Sequence, residues 1–125
     1  MNPAPVVPPH VRQRDWLAVI GAVLAAVGVG LLAWASHGVA ETARNGVQMA
    51  ALLALLHGIA MAALAPLAVK RLARIALLLM LVGVLLFTGS VVAGQLLGTS
   101  TALAPFGGML LIVAWLLQAW QRLPR

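Results

Sequence analysis

Residues 16–36 have the sequence WLAVIGAVLAAVGVGLLAWAS and contain no charged side chain. An α-helix needs about 20 mostly apolar residues to cross a hydrocarbon core of roughly 30 Å. This stretch therefore predicts a first transmembrane helix. The alternative is a cleaved signal peptide, because Arg12 and Arg14 precede the run and residues 33–35 have the small-x-small pattern of a cleavage site. A signal core usually spans only about 7 to 15 residues, and more apolar runs follow this one, which favours the helix.

Three further apolar runs follow, with predicted spans at residues 46–69, 75–97 and 103–121. Pro66 should kink or end the second span, whereas Pro105 stands where a helix tolerates proline, in the first turn of the fourth. We therefore expect an all-α membrane protein, a compact bundle of four transmembrane helices formed by residues 14–125. The proline-rich tail, residues 1–13, should be disordered because its prolines fix the backbone and lack hydrogen-bond donors.

The basic residues predict the orientation of these spans. Only 8% of the 125 residues are charged and 63% are hydrophobic, yet the formal net charge is +6. In a four-span chain, seven of the 8 basic residues fall on one side and only Arg44 on the other. Because Lys and Arg collect in cytoplasmic loops, both termini should be cytoplasmic, in a multi-pass protein of the bacterial inner membrane. Three of these basic residues lie between the second and third spans, and we expect them to set the topology or to contact lipid headgroups: Lys70, Arg71 and Arg74.

Several classes of function lack their usual parts. The basic residues flank apolar runs and form no groove-sized patch with stacking aromatics, so we expect no nucleic-acid partner. The chain has no cysteine and only 2 acidic residues, which excludes thiolate chemistry and leaves no paired carboxylates or serine triad. A haem shared by His37 and His57 is disfavoured because their depths would differ by roughly 15 Å. We therefore expect a protein without enzymatic activity, cofactor or metal.

Small residues recur every four positions in the first two spans. The rows are Ala18, Ala22, Ala26 and Gly30, and then Gly46, Ala50, Ala54, Gly58 and Ala62. Such rows let two helix backbones approach closely where lipid provides no hydrophobic drive between helices. Tight packing inside one bundle is the favoured interpretation, and a seam between two subunits is the alternative.

A polar stripe is predicted at the outer end of the first two spans. Its residues His37, Glu41, Arg44 and Gln48 are spaced four, three and four apart, which places them along one face if the segment is helical. We favour an interfacial hairpin whose charges pair with each other and with water. The functional alternative is a docking site or a polar entrance.

His57 lies near the middle of the second apolar run, with no charged neighbour in sequence. A polar group at that depth requires an explanation, because it is costly in lipid. We expect a neutral imidazole that is hydrogen-bonded to a backbone carbonyl or to a hydroxyl such as Thr88 or Ser90 on another helix. Proton relay, quinone contact and contact with a partner subunit are the alternatives.

Two motifs near the end of the chain carry a family resemblance. The sequence GVLLFTGS at residues 83–90, and PFGG at 105–108 followed by Trp115, resemble Gly-x-x-x-Phe-Ser-Gly-Ser and Pro-x-Gly-Gly...Trp. These patterns belong to the small inner-membrane proteins typified by YgdD, also called domain of unknown function 423, which has relatives in mitochondria. Within the motifs we assign four residues to helix packing: Gly89, Pro105, Gly107 and Gly108.

Both histidine segments add to this resemblance. ASHG at residues 35–38 is similar to the family's Gly-Ala-His-Gly, and HGIA at 57–60 to its His-Ala-x-Ala. The family usually has tyrosines where this chain has Leu53 and Val92, so the chain lacks those phenols. The resemblance covers residues 21–115 and implies a four-helix inner-membrane protein, with no established activity.

Three functions remain open from the sequence. The leading hypothesis is an accessory or assembly subunit of a larger membrane complex, because small size and close-packing glycines suit that role. The second is an oligomeric transporter or channel subunit that uses His57 and the polar stripe as a route. The third is a protein that handles a quinone or another cofactor. The lipid bilayer and either other membrane subunits or further copies of the chain are the expected partners.

Overall fold

The computed structural model describes residues 1–2 and 15–124. The predicted disorder of residues 1–13 falls almost entirely outside this part. The described chain forms four α-helices and one short 3-10 turn. The helices are α1 (Trp16–His37), α2 (Glu41–Leu64), α3 (Arg71–Leu97) and α4 (Ala104–Trp120), and the turn is Ala65–Leu67 between α2 and α3.

The four helices cover the four predicted apolar runs, with one clear shift. Helix α2 begins at Glu41 and ends at Leu64, about five residues before each predicted boundary. It ends there because Pro66, which has no N–H to donate, forces the chain into the 3-10 turn. Pro105 lies in the first turn of α4. Both proline predictions are confirmed.

Among the described residues, three helical segments are long and apolar enough to cross a membrane. They are Trp16–His37, Glu41–Leu67 and Arg71–Leu97. Helix α4 is equally apolar but has 17 residues. Its length of about 26 Å is a little less than a typical hydrocarbon core of roughly 30 Å.

Helices α1 and α2 pack backbone against backbone. A Cβ atom at Gly21 would lie 2.7 Å from the carbonyl oxygen of Gly58, and one at Gly58 would lie 2.6 Å from the carbonyl oxygen of Gly21. Two turns further along α1, a Cβ at Gly28 would lie 2.6 Å from the amide nitrogen of Leu55. Gly58 therefore lies where the backbones of α1 and α2 approach each other closely. The two helices run antiparallel, since the later residue of α1, Gly28, contacts the earlier residue of α2, Leu55, whereas Gly21 contacts Gly58.

Helices α3 and α4 repeat this arrangement with a second glycine pair. A Cβ at Gly107 would lie 2.6 Å from the carbonyl oxygen of Gly83, and one at Gly83 would lie 2.9 Å from that of Gly107. Gly107 therefore lies where the backbones of α3 and α4 approach each other closely. Between the two helix pairs, the hydroxyl of Thr88 donates to the carbonyl oxygen of Ala50 at 3.0 Å, which joins α3 to α2.

Three of the predicted packing glycines face away from every neighbour. A Cβ at Gly30, Gly89 or Gly108 would meet no atom within 4 Å. For Gly30 the predicted row was wrong, because a four-residue spacing turns by about 40° per step around a helix. The buried face of α1 instead follows a seven-residue spacing through Gly21 and Gly28, which drifts by only about 20° per heptad.

A buried apolar cluster has members from all four helices. It includes Leu24 of α1, Ala54 and Met61 of α2, Leu77, Met80 and Val84 of α3, and Leu111 and Ala114 of α4. Most other large apolar side chains are exposed along the helices. Such an outer surface suits lipid as the surrounding solvent.

Candidate functional site

His57 is the buried centre of a hydrogen-bonded chain that joins α2 to α4. Its side chain is only 8% exposed. The Nδ1 atom lies 2.7 Å from the carbonyl oxygen of Leu53, one turn earlier in α2. The indole Nε1 of Trp115 on α4 lies 3.1 Å from the Nε2 atom. The two rings are tilted by 58° and their centroids are 6.0 Å apart.

These partners determine where the imidazole carries its proton. The indole Nε1–H can only donate, so the Nε2 atom of His57 must accept and carries no hydrogen. The Leu53 carbonyl can only accept, so Nδ1 carries the hydrogen and donates it. A second proton at Nε2 would point at the Trp115 N–H. The hydrogen-bond partners therefore fit the tautomer that carries its hydrogen on Nδ1.

The predicted hydroxyl partners of His57 were wrong. Thr88 donates to Ala50 instead, and the hydroxyl of Ser90 is buried without a hydrogen-bond partner in the described structure. Although tryptophan is enriched at membrane interfaces, Trp115 lies beside the middle of α2, where its indole donates to His57.

A groove opens to the outside above the histidine–tryptophan pair. It has a volume of about 390 Å³. Its walls are apolar and come from α2 and α4: Leu53, Gly108, Leu111, Ile112, Trp115 and Leu116, with His57 at the base. We refer to this feature as the α2–α4 groove. Gly108 forms part of one wall and leaves it open, because nothing lies within 4 Å of the position its Cβ would take.

The predicted polar stripe is divided between two helices. His37 is the last residue of α1 and is exposed, while Glu41 begins α2 and is also exposed. Arg44 and Gln48 are half-buried on α2. Within residues 15–124 no ion pair forms between Glu41 and Arg44, and the Nε atom of Arg44 is buried without a partner. The chain turns between His37 and Glu41, as the favoured hairpin requires, but the expected pairing of its charges is not seen in the described residues.

At the opposite end, an ion pair joins the starts of α1 and α3. Asp15 caps α1 by accepting from the Leu17 N–H at 3.0 Å. Its other oxygen accepts from the Arg74 guanidinium at 2.9 Å. This hydrogen bond from Arg74 is the main reason why the pKa of the Asp15 carboxyl lies below its usual value. Arg74 was assigned to topology or headgroups, and the structure gives it this internal partner.

Gln118 organises the same end of the molecule and was missed in the sequence analysis. It is 2% exposed. Its Nε2 donates to the Ala73 carbonyl of α3 at 3.4 Å. Its Oε1 accepts from Arg122 Nη1 at 2.7 Å and from Gln121 Nε2. A polar residue inside the apolar run of α4 was the available signal, because such residues need partners in a membrane.

In the described part of the chain, four apolar helices, three of them long enough to cross a bilayer, are typical of a helical membrane protein. Within that class the family is identified by sequence. The family model described as Protein of unknown function (DUF423) matches residues 30–108, and the chain belongs to that family. No curated protein and no solved structure matches the chain.

Proposed function

We propose that the protein is a non-enzymatic accessory or assembly subunit of a larger inner-membrane complex. All four helices cross the membrane with both termini in the cytoplasm, and the α2–α4 groove receives a transmembrane helix of a partner protein. The observation that carries this proposal is the open wall of the groove at Gly108.

The orientation rests on charge and on the contacts of one end of the molecule. Asp15 with Arg74, and Gln118 with Ala73, bring together the starts of α1 and α3 and the end of α4. Lys and Arg are enriched at this end, whereas Arg44 lies near the start of α2. Under the positive-inside rule this end is cytoplasmic.

Reporter fusions test the orientation directly. Fusions after Arg125 and within residues 70–74 should report a cytoplasmic location, and fusions near Asn45 or Ser100 a periplasmic one. A periplasmic carboxyl terminus would contradict both the orientation and the number of spans.

The docking role rests on what glycine does in a membrane helix. Glycine has the highest conformational cost in a helix apart from proline, about 1 kcal/mol relative to alanine. Gly107 has an internal role because it contacts Gly83, but Gly108 faces open space in the groove. Small residues at membrane helix surfaces let a second helix approach closely. A partner helix could approach α4 closely at Gly108, as α3 approaches α4 at Gly107.

The non-enzymatic role rests on the positions of the acidic and imidazole groups. Asp15 is bonded to Arg74, and Glu41 lies at the other end of the molecule. Both ring nitrogens of His57 already have partners. Among the described residues, the buried imidazole of His57 therefore has no acidic partner for general acid–base catalysis.

The experiment is copurification of the tagged full-length chain in a mild detergent, with two matched variants. Gly108→Leu fills the groove, and Gly30→Leu adds the same side chain to open space on α1. Neither substitution meets an atom of the chain at its Cβ, so both variants should fold.

The wild type and Gly30→Leu should copurify with a stoichiometric membrane protein that Gly108→Leu loses. A complex that survives Gly108→Leu would exclude the groove as the docking surface. A homo-oligomer with a wetted axis would favour a transporter, and a bound cofactor would favour a cofactor-handling protein; either result would overturn the proposal.

A further inference from the structure

A second cavity lies at the basic end of the molecule, between the end of α2, the start of α3 and the end of α4. Its volume is about 290 Å³. Its polar lining consists of Lys70, Gln118, Gln121 and Arg122, and its apolar lining includes Leu64 and Leu67. We refer to this feature as the basic-end cavity. A cavity with cations on one side and apolar side chains on the other matches the boundary between headgroups and hydrocarbon.

The two cations of the cavity have no acidic side chain to neutralise them. The chain contains only 2 acidic residues. Asp15 is bonded to Arg74, and Glu41 begins α2 at the far end of the molecule. Within the described residues, Lys70 and Arg122 therefore lack an ion-pair partner. An anion in the cavity would meet two positive charges.

A buried amide holds the Arg122 guanidinium in place. Gln118 is 2% exposed and is fixed to α3 through the Ala73 carbonyl. Both hydrogen bonds from Arg122 to Gln118, at 2.8 Å and 2.7 Å, use the same nitrogen, Nη1. The Nη2 and Nε atoms remain available as donors. A guanidinium held in this way can present parallel donors to the oxygens of a phosphate.

We propose that the basic-end cavity binds the phosphate of an anionic phospholipid headgroup. Arg122 and Lys70 contact the phosphate oxygens, and Gln118 is the positioning residue that orients Arg122. The apolar Leu64 and Leu67 side chains lie beside the start of the acyl chains. The proposal requires neither a partner helix in the α2–α4 groove nor a particular orientation of the protein in the membrane.

The test compares substitutions at two neighbouring basic residues, each of which removes one positive charge. Lys70→Gln removes a cation from the cavity, whereas Arg71→Gln removes one just outside it. The full-length protein is purified with phosphatidylglycerol or with phosphatidylcholine, and native mass spectrometry measures the lipid retained per chain. Arg122→Gln is the second cavity variant, so the test survives if one variant does not fold.

The wild type and Arg71→Gln should retain one phosphatidylglycerol and little phosphatidylcholine. Lys70→Gln and Arg122→Gln should each reduce retention of phosphatidylglycerol about fivefold, the effect of one basic residue near a lipid surface. An equal loss in Arg71→Gln would show diffuse attraction and overturn the site. Equal retention of both lipids would also overturn it. Displacement of the lipid by inorganic phosphate alone would show a free-anion site instead.

Discussion

Gly58 offers the sharpest test of the packing between α1 and α2, because adding one methyl group should be harmful at Gly58 and harmless at Gly30. In Gly58→Ala the new Cβ would lie 2.5 Å from the amide nitrogen of Ala25 and 2.6 Å from the carbonyl oxygen of Gly21. Both are backbone atoms, so α1 must move away by roughly 1 Å to restore ordinary contact. Overpacking of this kind costs about 1–3 kcal/mol of the free energy of unfolding.

Gly30→Ala is the matched control, because its Cβ meets nothing within 4 Å. Its free energy of unfolding should stay within about 1 kcal/mol of the wild type. The assay is loss of the folded state on heating in detergent, followed by size-exclusion chromatography with fluorescence detection. Gly58→Leu should lower both yield and thermal stability further. If Gly58→Ala proves as stable as Gly30→Ala, the reciprocal glycine contact does not exist.

Three further predictions follow from the polar contacts. Trp115→Phe leaves the Nε2 atom of His57 without a donor and should destabilise the fold by about 1–2 kcal/mol in the same heating assay, whereas Trp16→Phe should not; equal effects would refute the pair. Thr88→Val removes the hydrogen bond between α2 and α3 and should lower the free energy of unfolding by about 0.6 kcal/mol, and by no more than about 1.7 kcal/mol. An unchanged free energy of unfolding, measured by chemical denaturation, would refute this contribution. The carboxyl pKa of Asp15 is lowered in the folded state, so its contribution to the free energy of unfolding is present above the ordinary pKa of about 3.9 and is lost as pH falls through the lowered value. Asp15→Asn should abolish that part of the pH dependence of stability. A pH–stability profile that is unchanged in this variant would contradict the ion pair.

Helix number and several helix ends could be predicted from the sequence because they depend on local chemistry. Apolar runs of sufficient length specify helices, and Pro66 and Pro105 fix one end and one beginning through the missing N–H. The second span was predicted to begin at residue 46, yet α2 begins at Glu41, since an acidic side chain favours the first turn of a helix.

The faces and partners could not be predicted to the same extent, because they depend on how the helices cross. In the sequence, the face of α1 that carries Gly30 suits close helix packing as well as the face that carries Gly28. Only the contact of Gly28 with Leu55 distinguishes the two faces. The partner of the Trp115 indole could not be predicted, because His57 lies on another helix. For Gln118, the polar residue itself was the signal, but its partner Ala73 lies on another helix.

The central claim is that the α2–α4 groove holds a helix of another membrane protein, and photocrosslinking in intact cells tests it most directly. A crosslinking residue at Ile112, which is 57% exposed on the groove wall, is compared with one at Val19, which is 49% exposed on α1. We predict a discrete protein adduct from position 112 that is absent from position 19 and is lost when Gly108→Leu is added. Lipid adducts alone at position 112, or the same protein adduct from both positions, would contradict the claim.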